Sequence, residues 1–170
     1  MFPEILTIMV EDFLEECRQN GLKLALAESC TGGLVAGCIT AVAGSSAVFE
    51  RGFVTYTNQA KTEMLGVPQN VLDQVGAVSQ EVAIAMAEGA LQNSKANLSL
   101  SITGIAGPGG GGPGSGDDVK PVGLVHMACA RDGFETQHQR HILKGDRERV
   151  RLQAVESGLK LLLNCCAVSD

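Results

Sequence analysis

Residues 22–44, LKLALAESCTGGLVAGCITAVAG, join two apolar segments through a short polar turn. The first segment, LKLALAE, has the length and the almost continuous hydrophobicity of a buried β-strand. The second predicts a helix, because its larger apolar residues share one helical face: Leu34, Val35, Cys38, Ile39 and Val42. A strand that passes directly into a helix is the repeating unit of α/β folds, so we expect the rest of the chain to alternate in the same way.

The other segments of the chain continue this alternation. A helix is expected over residues 3–19. Strands are predicted in RGFVTYT, NLSLSITG, PVGLVHMACA and FETQHQRHILK, and helices in NQAKTEMLG, SQEVAIAMAEGALQNS and DRERVRLQAVESGLKLLLN. Asn58, Ser79 and Asp146 are the expected N-caps of these helices. The RDG at residues 131–133 predicts a hairpin between the last two strands.

Length and patterning together predict one domain over residues 1–170. Its expected fold class is α/β: a single-domain layered α/β sandwich with a mostly parallel sheet and an antiparallel edge hairpin. In such sheets, ligand sites form at the carboxyl ends of the strands. Functional residues are therefore expected directly after the predicted strands.

The charge balance limits the partners. The net charge is −6 and the isoelectric point is about 5.0, which argues against a nucleic-acid or membrane-surface binder. A small anionic substrate remains compatible, because local basic residues can bind it. The acidic N-terminal segment is unlike a signal peptide, and no apolar run approaches the roughly 20 residues of a membrane span. We expect a cytoplasmic protein and leave open whether copies associate into a homo-oligomer.

The cysteines and acids predict neither a disulfide framework nor a metal site. None of the six cysteines forms a C-x-x-C pair, and Cys165 and Cys166 are adjacent. Reduced thiols are the simplest interpretation, with Cys17 and Cys38 in the core. Asp117 and Asp118 lie in a glycine-rich stretch, where paired acids are usually solvated. We therefore expect no metal and no other cofactor.

The turn AESCTGG, residues 27–33, places Ser29, Cys30 and Thr31 between a strand and a helix. Ser29 or Thr31 can simply cap the helix. Alternatively, a hydroxyl at the end of a strand can serve as a nucleophile. A helix dipole contributes about 0.3–1 kcal/mol, which is far too little to ionise an alcohol. A serine nucleophile therefore needs a base, whereas a Cys30 thiolate needs only a small pKa shift and remains a rival.

Lys61 is the candidate base. It lies in the first turn of the helix NQAKTEMLG, on the face shared by Met64 and Leu65, so we expect it to point inward. Burial and a helix N-terminus both lower the pKa of a lysine, as a general base requires. The alternative is an exposed lysine with only its stem covered. The three histidines fall on late strands, and we interpret them as structural or surface residues: His126, His138 and His141.

Further polar residues follow other strands. Tyr56 can pack, orient the nucleophile or contact an aromatic substrate. Thr103 can donate to an oxyanion or to the base. The next residues, GIAG at 104–107, offer backbone N–H groups that can cradle an anion. Arg147 and Arg151 share a face near a helix N-terminus and form either a phosphate or carboxylate clamp or an ordinary solvated turn.

Several motifs together resemble the C-terminal domain of the competence/damage-inducible protein CinA family: AESCTGG, GSSAVFERGFVTYTNQAK, GAVS, SITGIAGP, KPVG and GDRERVR. The resemblance covers about residues 5–165. Enzymatic members of that family are nicotinamide-nucleotide amidases, also called NMN deamidases. One departure is visible: the loop at residues 108–119 is longer and richer in glycine than is usual. We expect the stand-alone form, without the separate N-terminal domain of longer members.

The resemblance implies an α/β amidohydrolase that converts nicotinamide mononucleotide to nicotinate mononucleotide and ammonia, without metal, in pyridine nucleotide recycling. It implies Ser29 as nucleophile and Lys61 as base, with Tyr56 and Thr103 as supporting catalytic residues. The expected substrate-binding residues are Cys30, Thr31, Gly32, Gly104, Ile105, Ala106, Gly107 and Arg147. Two other functions remain open: a non-catalytic nucleotide-binding or regulatory module, and a thiol hydrolase that uses Cys30.

Overall fold

A computed structural model describes residues 1–108 and 120–167. In chain order its elements are α1 (Glu4–Gln19), β1 (Leu24–Glu28), α2 (Leu34–Thr40), a 3₁₀ turn (Ser45–Ala47), β2 (Phe49–Val54), α3 (Asn58–Leu65), α4 (Gln69–Val75), α5 (Gln80–Gln92), β3 (Leu98–Gly104), β4 (Leu124–Arg131), β5 (Gln137–Ile142) and α6 (Arg147–Cys166). Asp117 and Asp118, and most of the 108–119 loop, lie outside the described residues.

The sheet has the strand order β2-β1-β3-β4-β5. β1 pairs in parallel with β2 on one side and with β3 on the other, whereas β4 is antiparallel to both β3 and β5. Only β4 therefore runs against the other strands of the described sheet. This arrangement confirms the α/β class, the mostly parallel strand direction and the antiparallel hairpin at one edge. It also places the ends of β1, β2 and β3 at the same edge of the sheet.

The two faces of the sheet are covered by different helices, which explains why β1 is buried along its whole length. Leu24 and Leu26 belong to the larger apolar cluster, which includes residues of α1, α2 and α6. Ala25 and Ala27 point to the other face and pack with apolar residues of α3, α4 and α5. The small alanines let these helices approach β1 closely.

A glycine sets the distance between α3 and α5. A Cβ atom added at Gly89, in the middle of α5, would lie 2.0 Å from the carbonyl oxygen of Leu65 in α3. No side chain fits there, so the absence of one allows α3 to dock on α5. Because Lys61 belongs to α3, this contact also determines where Lys61 stands relative to β1.

Several predicted boundaries differ from the structure. α2 begins at Leu34 instead of at the polar turn, because the intervening residues form turns and Gly33 has a φ of 95°. Asn58 is the first residue of α3 and not its N-cap. The cap is Thr57, whose side chain accepts a hydrogen bond from the Ala60 N–H. β2 ends at Val54. The short helix α4 was not predicted at all.

We expect Gly89→Ala to destabilise the protein by about 2 kcal/mol, because overpacking a tight contact costs about 1–3 kcal/mol. The matched control is Gly37→Ala in α2, whose added Cβ would lie 3.7 Å from the Phe2 ring, an ordinary contact. Since alanine is the better helix former, this control should be neutral or stabilising by up to about 1 kcal/mol. Urea unfolding measures both, and equal stabilities of the two variants would contradict the docking argument.

Candidate active site

Ser29 directly follows β1 at the carboxyl edge of the sheet. Its backbone N–H donates to the carbonyl of Ile102 at 2.9 Å, which ties this position to the neighbouring strand β3. By the alternation of the strand, its side chain lies on the face of Ala25 and Ala27, where α3 and α5 pack. Ser29 is buried, with 8% of its surface exposed. Its hydroxyl is thus held in a largely dry position.

Lys61 meets Ser29 from α3, as predicted from its inward orientation. Only 1% of Lys61 is exposed, and its Nζ lies 3.0 Å from Ser29 Oγ. The same amine donates to the carbonyl oxygen of Thr55 at 2.8 Å and to that of Tyr56 at 3.3 Å. Both carbonyls belong to the segment between β2 and α3. The end of β1, the end of β2 and the start of α3 therefore assemble a buried serine–lysine pair.

Burial lowers the pKa of Lys61 to about 8, and the nearby Cys30 opposes this shift. The expected covering residues are only half correct. Leu65 is buried, but Met64 is 42% exposed and contributes little to the desolvation. With a pKa near 8, about one Lys61 in ten is neutral at pH 7, against fewer than one in a thousand for free lysine. The amine can therefore accept a proton near neutral pH.

Glu28, which the sequence interpretation missed, holds the turn that carries Ser29. Its carboxylate is 2% exposed and accepts three backbone N–H bonds: from Gly33 at 3.0 Å, Val35 at 3.1 Å and Ala36 at 2.9 Å. These are the free N–H groups at the start of α2. Neither Ser29 nor Thr31 caps the helix, and the positive end of α2 faces Glu28. An acid directly before a glycine-rich turn was the available signal.

The position of Cys30 argues against its alternative role as the nucleophile. Its thiol belongs to the large apolar cluster, and burial raises its pKa to about 11. The nearby carboxylate of Glu28 raises this pKa further. The expected pKa-lowering effect of the α2 N-terminus is therefore outweighed. With its side chain in the core, Cys30 can reach a substrate only through its backbone.

Arg151, in α6, donates hydrogen bonds to the turn that follows Ser29. Its Nε donates to the carbonyl of Cys30 at 3.2 Å and its Nη2 to the carbonyl of Thr31 at 2.8 Å. Neither expected role, an anion clamp or part of an ordinary solvated turn, describes these contacts. Gly32 adopts a φ of 61°, and its N–H donates to the carbonyl of Ser29 at 3.0 Å. That N–H is therefore not free to bind a substrate.

Tyr56 and Arg147 form an exposed pair beside the buried one. Arg147 Nη2 donates to the Tyr56 hydroxyl at 2.8 Å. Tyr56 is 58% exposed, and its backbone carbonyl contacts Lys61. Gly107 lies next to Arg147, since a Cβ added there would lie 3.5–3.7 Å from the arginine side chain. Three expected site residues, Tyr56, Arg147 and Gly107, therefore lie side by side.

Two expected site residues, Thr103 and Ile105, make hydrogen bonds elsewhere in the protein. Thr103 is buried in β3 near Ser29, but its hydroxyl donates to the carbonyl of Ala77 at 2.8 Å and cannot donate the same proton to an oxyanion. Ile105 uses its N–H for the carbonyl of Leu124 at 2.9 Å, and its side chain packs in a small apolar cluster. The predicted anion cradle at residues 104–107 therefore lacks this amide.

The histidines lie on β4 and β5, and His126 is the cross-strand partner of Thr103. His126 Nδ1 and His138 Nε2 lie 2.9 Å apart, and burial lowers the pKa of His126 to about 4. Within residues 1–108 and 120–167, no three His, Cys, Asp or Glu side chains are grouped to hold a metal ion. In the same ranges no helix is both long and apolar enough to cross a membrane.

Fold and site together define an α/β protein with a buried serine–lysine pair at the carboxyl edge of its sheet. The chain belongs to the CinA C-terminal domain family, whose model matches residues 6–166. It is similar in structure to the competence/damage inducible protein CihA from Agrobacterium tumefaciens, with a TM-score of 0.89 and 44% identity. That match covers 96% of this chain and 97% of the other.

Two curated relatives differ in length. The nicotinamide-nucleotide amidohydrolase PncC of Escherichia coli K12 is 49% identical over 145 residues, which cover 85% of each protein. A CinA-like protein of Akkermansia muciniphila is 52% identical over 146 residues, covering 86% of this chain. The matched part is only 34% of that relative, so the chain spans about a third of such longer proteins.

Proposed function

We propose that this protein is a nicotinamide-nucleotide amidase that hydrolyses nicotinamide mononucleotide to nicotinate mononucleotide and ammonia. The observation that carries the proposal is the 3.0 Å contact between Lys61 Nζ and Ser29 Oγ in a buried site. The relative named as a nicotinamide-nucleotide amidohydrolase supports the choice of substrate. The six unpaired cysteines suit the reducing cytoplasm, where we place the protein and its role in pyridine nucleotide recycling.

In the first step Lys61 acts as a neutral base. Two of its N–H groups donate to the carbonyls of Thr55 and Tyr56, so the nitrogen lone pair is left to face Ser29. The Ser29 O–H then donates to Nζ. As Oγ forms a bond to the carboxamide carbon, its proton passes to Lys61, and the carbonyl oxygen becomes an oxyanion.

In the second step the bond between carbon and nitrogen breaks. Lys61 returns its proton to the departing nitrogen, so ammonia leaves and an ester with Ser29 remains. Water then attacks the ester carbon while neutral Lys61 takes a proton from it. The Ser29 oxygen leaves and recovers a proton, which releases nicotinate mononucleotide and restores the enzyme. One residue thus serves as base and as acid in each half of the reaction.

The charged part of the substrate fits the exposed side of the site. We place the phosphate at Arg147, beside the backbone of Gly107 and the ring of Tyr56. The neutral carboxamide enters towards Ser29. The buried hydroxyl of Thr31 has no partner within residues 1–108 and 120–167, so its donor is uncommitted. Thr103 is left with a supporting role through its bond to Ala77.

The two alternative functions, a thiol hydrolase and a non-catalytic nucleotide-binding module, require different features of the site. A thiol hydrolase needs a reactive Cys30, whose pKa near 11 and burial in the core work against it. A non-catalytic nucleotide-binding module would have no use for a lysine with a lowered pKa held against a serine hydroxyl. Perturbed ionisable groups in contact with a nucleophile are typical of catalytic sites, so we favour the enzyme.

The direct test is ammonia release from nicotinamide mononucleotide by the purified protein. We expect Ser29→Ala to abolish release, because it removes the attacking oxygen. Cys30→Ala should keep most of the activity, since its thiol only packs. Thermal unfolding of both variants checks that they fold. An inactive Cys30→Ala beside an active Ser29→Ala would assign the reaction to the thiol, and an inactive unmodified protein would reject the proposed function.

The pH dependence should reflect Lys61. Because burial lowers its pKa to about 8, its neutral form increases as the pH rises through 8, and kcat/KM should rise with it and then level off. Lys61→Arg keeps a positive charge but cannot accept a proton near pH 8. We expect it to be about as inactive as Lys61→Ala. Near-normal turnover by Lys61→Arg would exclude Lys61 as the base.

Substitution of Arg147 should weaken binding of the phosphorylated substrate selectively. Losing a charge-assisted contact of about 1.5–3 kcal/mol predicts a rise of roughly 10- to 100-fold in KM for the mononucleotide in Arg147→Met. Turnover of free nicotinamide, which has no phosphate, should hardly change. Arg149→Met, two residues along the same helix, is the control for surface charge. Equal losses with both substrates would refute a phosphate contact.

A further inference from the structure

The amide groups of the Ser29 turn differ in what they bind. The N–H of Gly32 donates to Ser29, and that of Gly33 donates to Glu28. The N–H groups of Cys30 and Thr31 donate to no other residue in the described part of the chain. These two amides come directly after the proposed nucleophile. In serine hydrolases, the residue after the nucleophile commonly supplies an oxyanion-hole N–H.

The orientation of the Thr31 amide is set by Arg151. In a trans peptide the carbonyl and the following N–H point in opposite directions. The Cys30 carbonyl accepts from Arg151, so the N–H of Thr31 points away from α6. α6 packs against the face of the sheet opposite to Lys61, since its apolar residues share a cluster with Leu24 and Leu26. The Thr31 N–H is therefore directed towards the side of the sheet where Ser29 meets Lys61.

We infer that the backbone N–H groups of Cys30 and Thr31 form the oxyanion hole of this site, and that Arg151 is the positioning residue that aims the N–H of Thr31. Arg151 holds two successive carbonyls, those of Cys30 and Thr31, with one guanidinium group. Such a fork resists rotation of the peptide between them better than a single bond would. The inference rests on the proposed amidase chemistry and adds the group that stabilises the negative oxygen.

Glu28 fixes the other end of the same turn. Its three bonds to the start of α2 hold the residues after the turn, while Arg151 holds the turn itself. A backbone donor helps a reaction most when it needs no reorientation as the charge develops. Glu28 and Arg151 together make the turn rigid. The carboxylate of Glu28 accepts from N–H groups, and the guanidinium of Arg151 donates to carbonyls. Arg151 therefore touches no substrate atom in this assignment.

Three variants of α6 test the assignment: Arg151→Met, Arg151→Lys and, as the matched control, Arg149→Met, which removes an exposed arginine two residues away. Each is assayed for kcat and KM with nicotinamide mononucleotide. Each is also treated with an alkyl fluorophosphonate, whose attachment to Ser29 is followed by mass spectrometry. The fluorophosphonate adduct needs the nucleophile and an oxyanion hole but no particular substrate, so the labelling rate tests the inference apart from the proposed function.

We expect Arg151→Met to lower kcat and the labelling rate by up to about 100-fold, the value of one oxyanion donor, with KM nearly unchanged. Arg151→Lys, which retains a cation, should fall between it and the unmodified protein, and it is the variant to use should Arg151→Met not fold. A raised KM with normal kcat would overturn the inference and make Arg151 a substrate-binding residue. Variants of Arg151 that match Arg149→Met in both assays would also overturn it.

If the unmodified protein labels at Ser29 but releases no ammonia, the proposed substrate is wrong, and the labelling rates of the variants still decide the role of Arg151. If Ser29 is not labelled and no ammonia appears, the oxyanion hole and the proposed function fall together.

Discussion

A lysine amine buried without a carboxylate partner is the constraint on which this site depends. The Lys61 Nζ group is satisfied by two backbone carbonyls and one hydroxyl, and none of the ion pairs found in the described residues includes it. A neighbouring carboxylate would favour the charged amine and raise its pKa, whereas carbonyls satisfy the N–H groups without a full opposing charge. The pleat of β1 keeps the carboxylate of Glu28 away, because consecutive side chains point to opposite faces and Glu28 is occupied by the start of α2.

The same pleat decides which side chain of the turn can react. Ser29 follows Ala27 on the face of α3, and the thiol of Cys30 packs among the apolar residues between the sheet and the opposite helices. A shift of one residue would exchange these positions, putting a thiol against Lys61 and a hydroxyl in the core. The parallel pairing of β1 with β2 and β3 fixes the register and prevents that exchange. The choice of serine over cysteine is thus a property of the sheet as much as of the turn.

Local patterns in the sequence were enough for the fold class, for most elements and for an inward Lys61, because apolar periodicity and caps act within a few residues. The contact between Lys61 and Ser29 joins positions 32 residues apart. A strand end and a helix face made each residue a candidate, and the resemblance to the CinA family implied their pairing. Thr103 donates a hydrogen bond to Ala77, and Arg151 donates to the Ser29 turn. Both contacts depend on how helices distant in sequence dock, which no local pattern encodes. The helix α4 was missed for a different reason: only seven residues long, it presents a single fully buried side chain, Leu72.

The site has a buried part and an exposed part. This division suits a substrate with one neutral reacting group and one charged group. Ser29 and Lys61 are almost inaccessible, while Tyr56 and Arg147 lie at the surface within reach of the same segment. Moving a phosphate into a dry interior would cost several kcal/mol even when it is paired, so a solvated arginine binds it at lower cost. A neutral carboxamide carries no such penalty. Because it displaces water from the site, the electrostatic contacts at Ser29 become stronger. Affinity for the charged end and reactivity at the neutral end can therefore be adjusted by different residues, since they depend on opposite degrees of hydration.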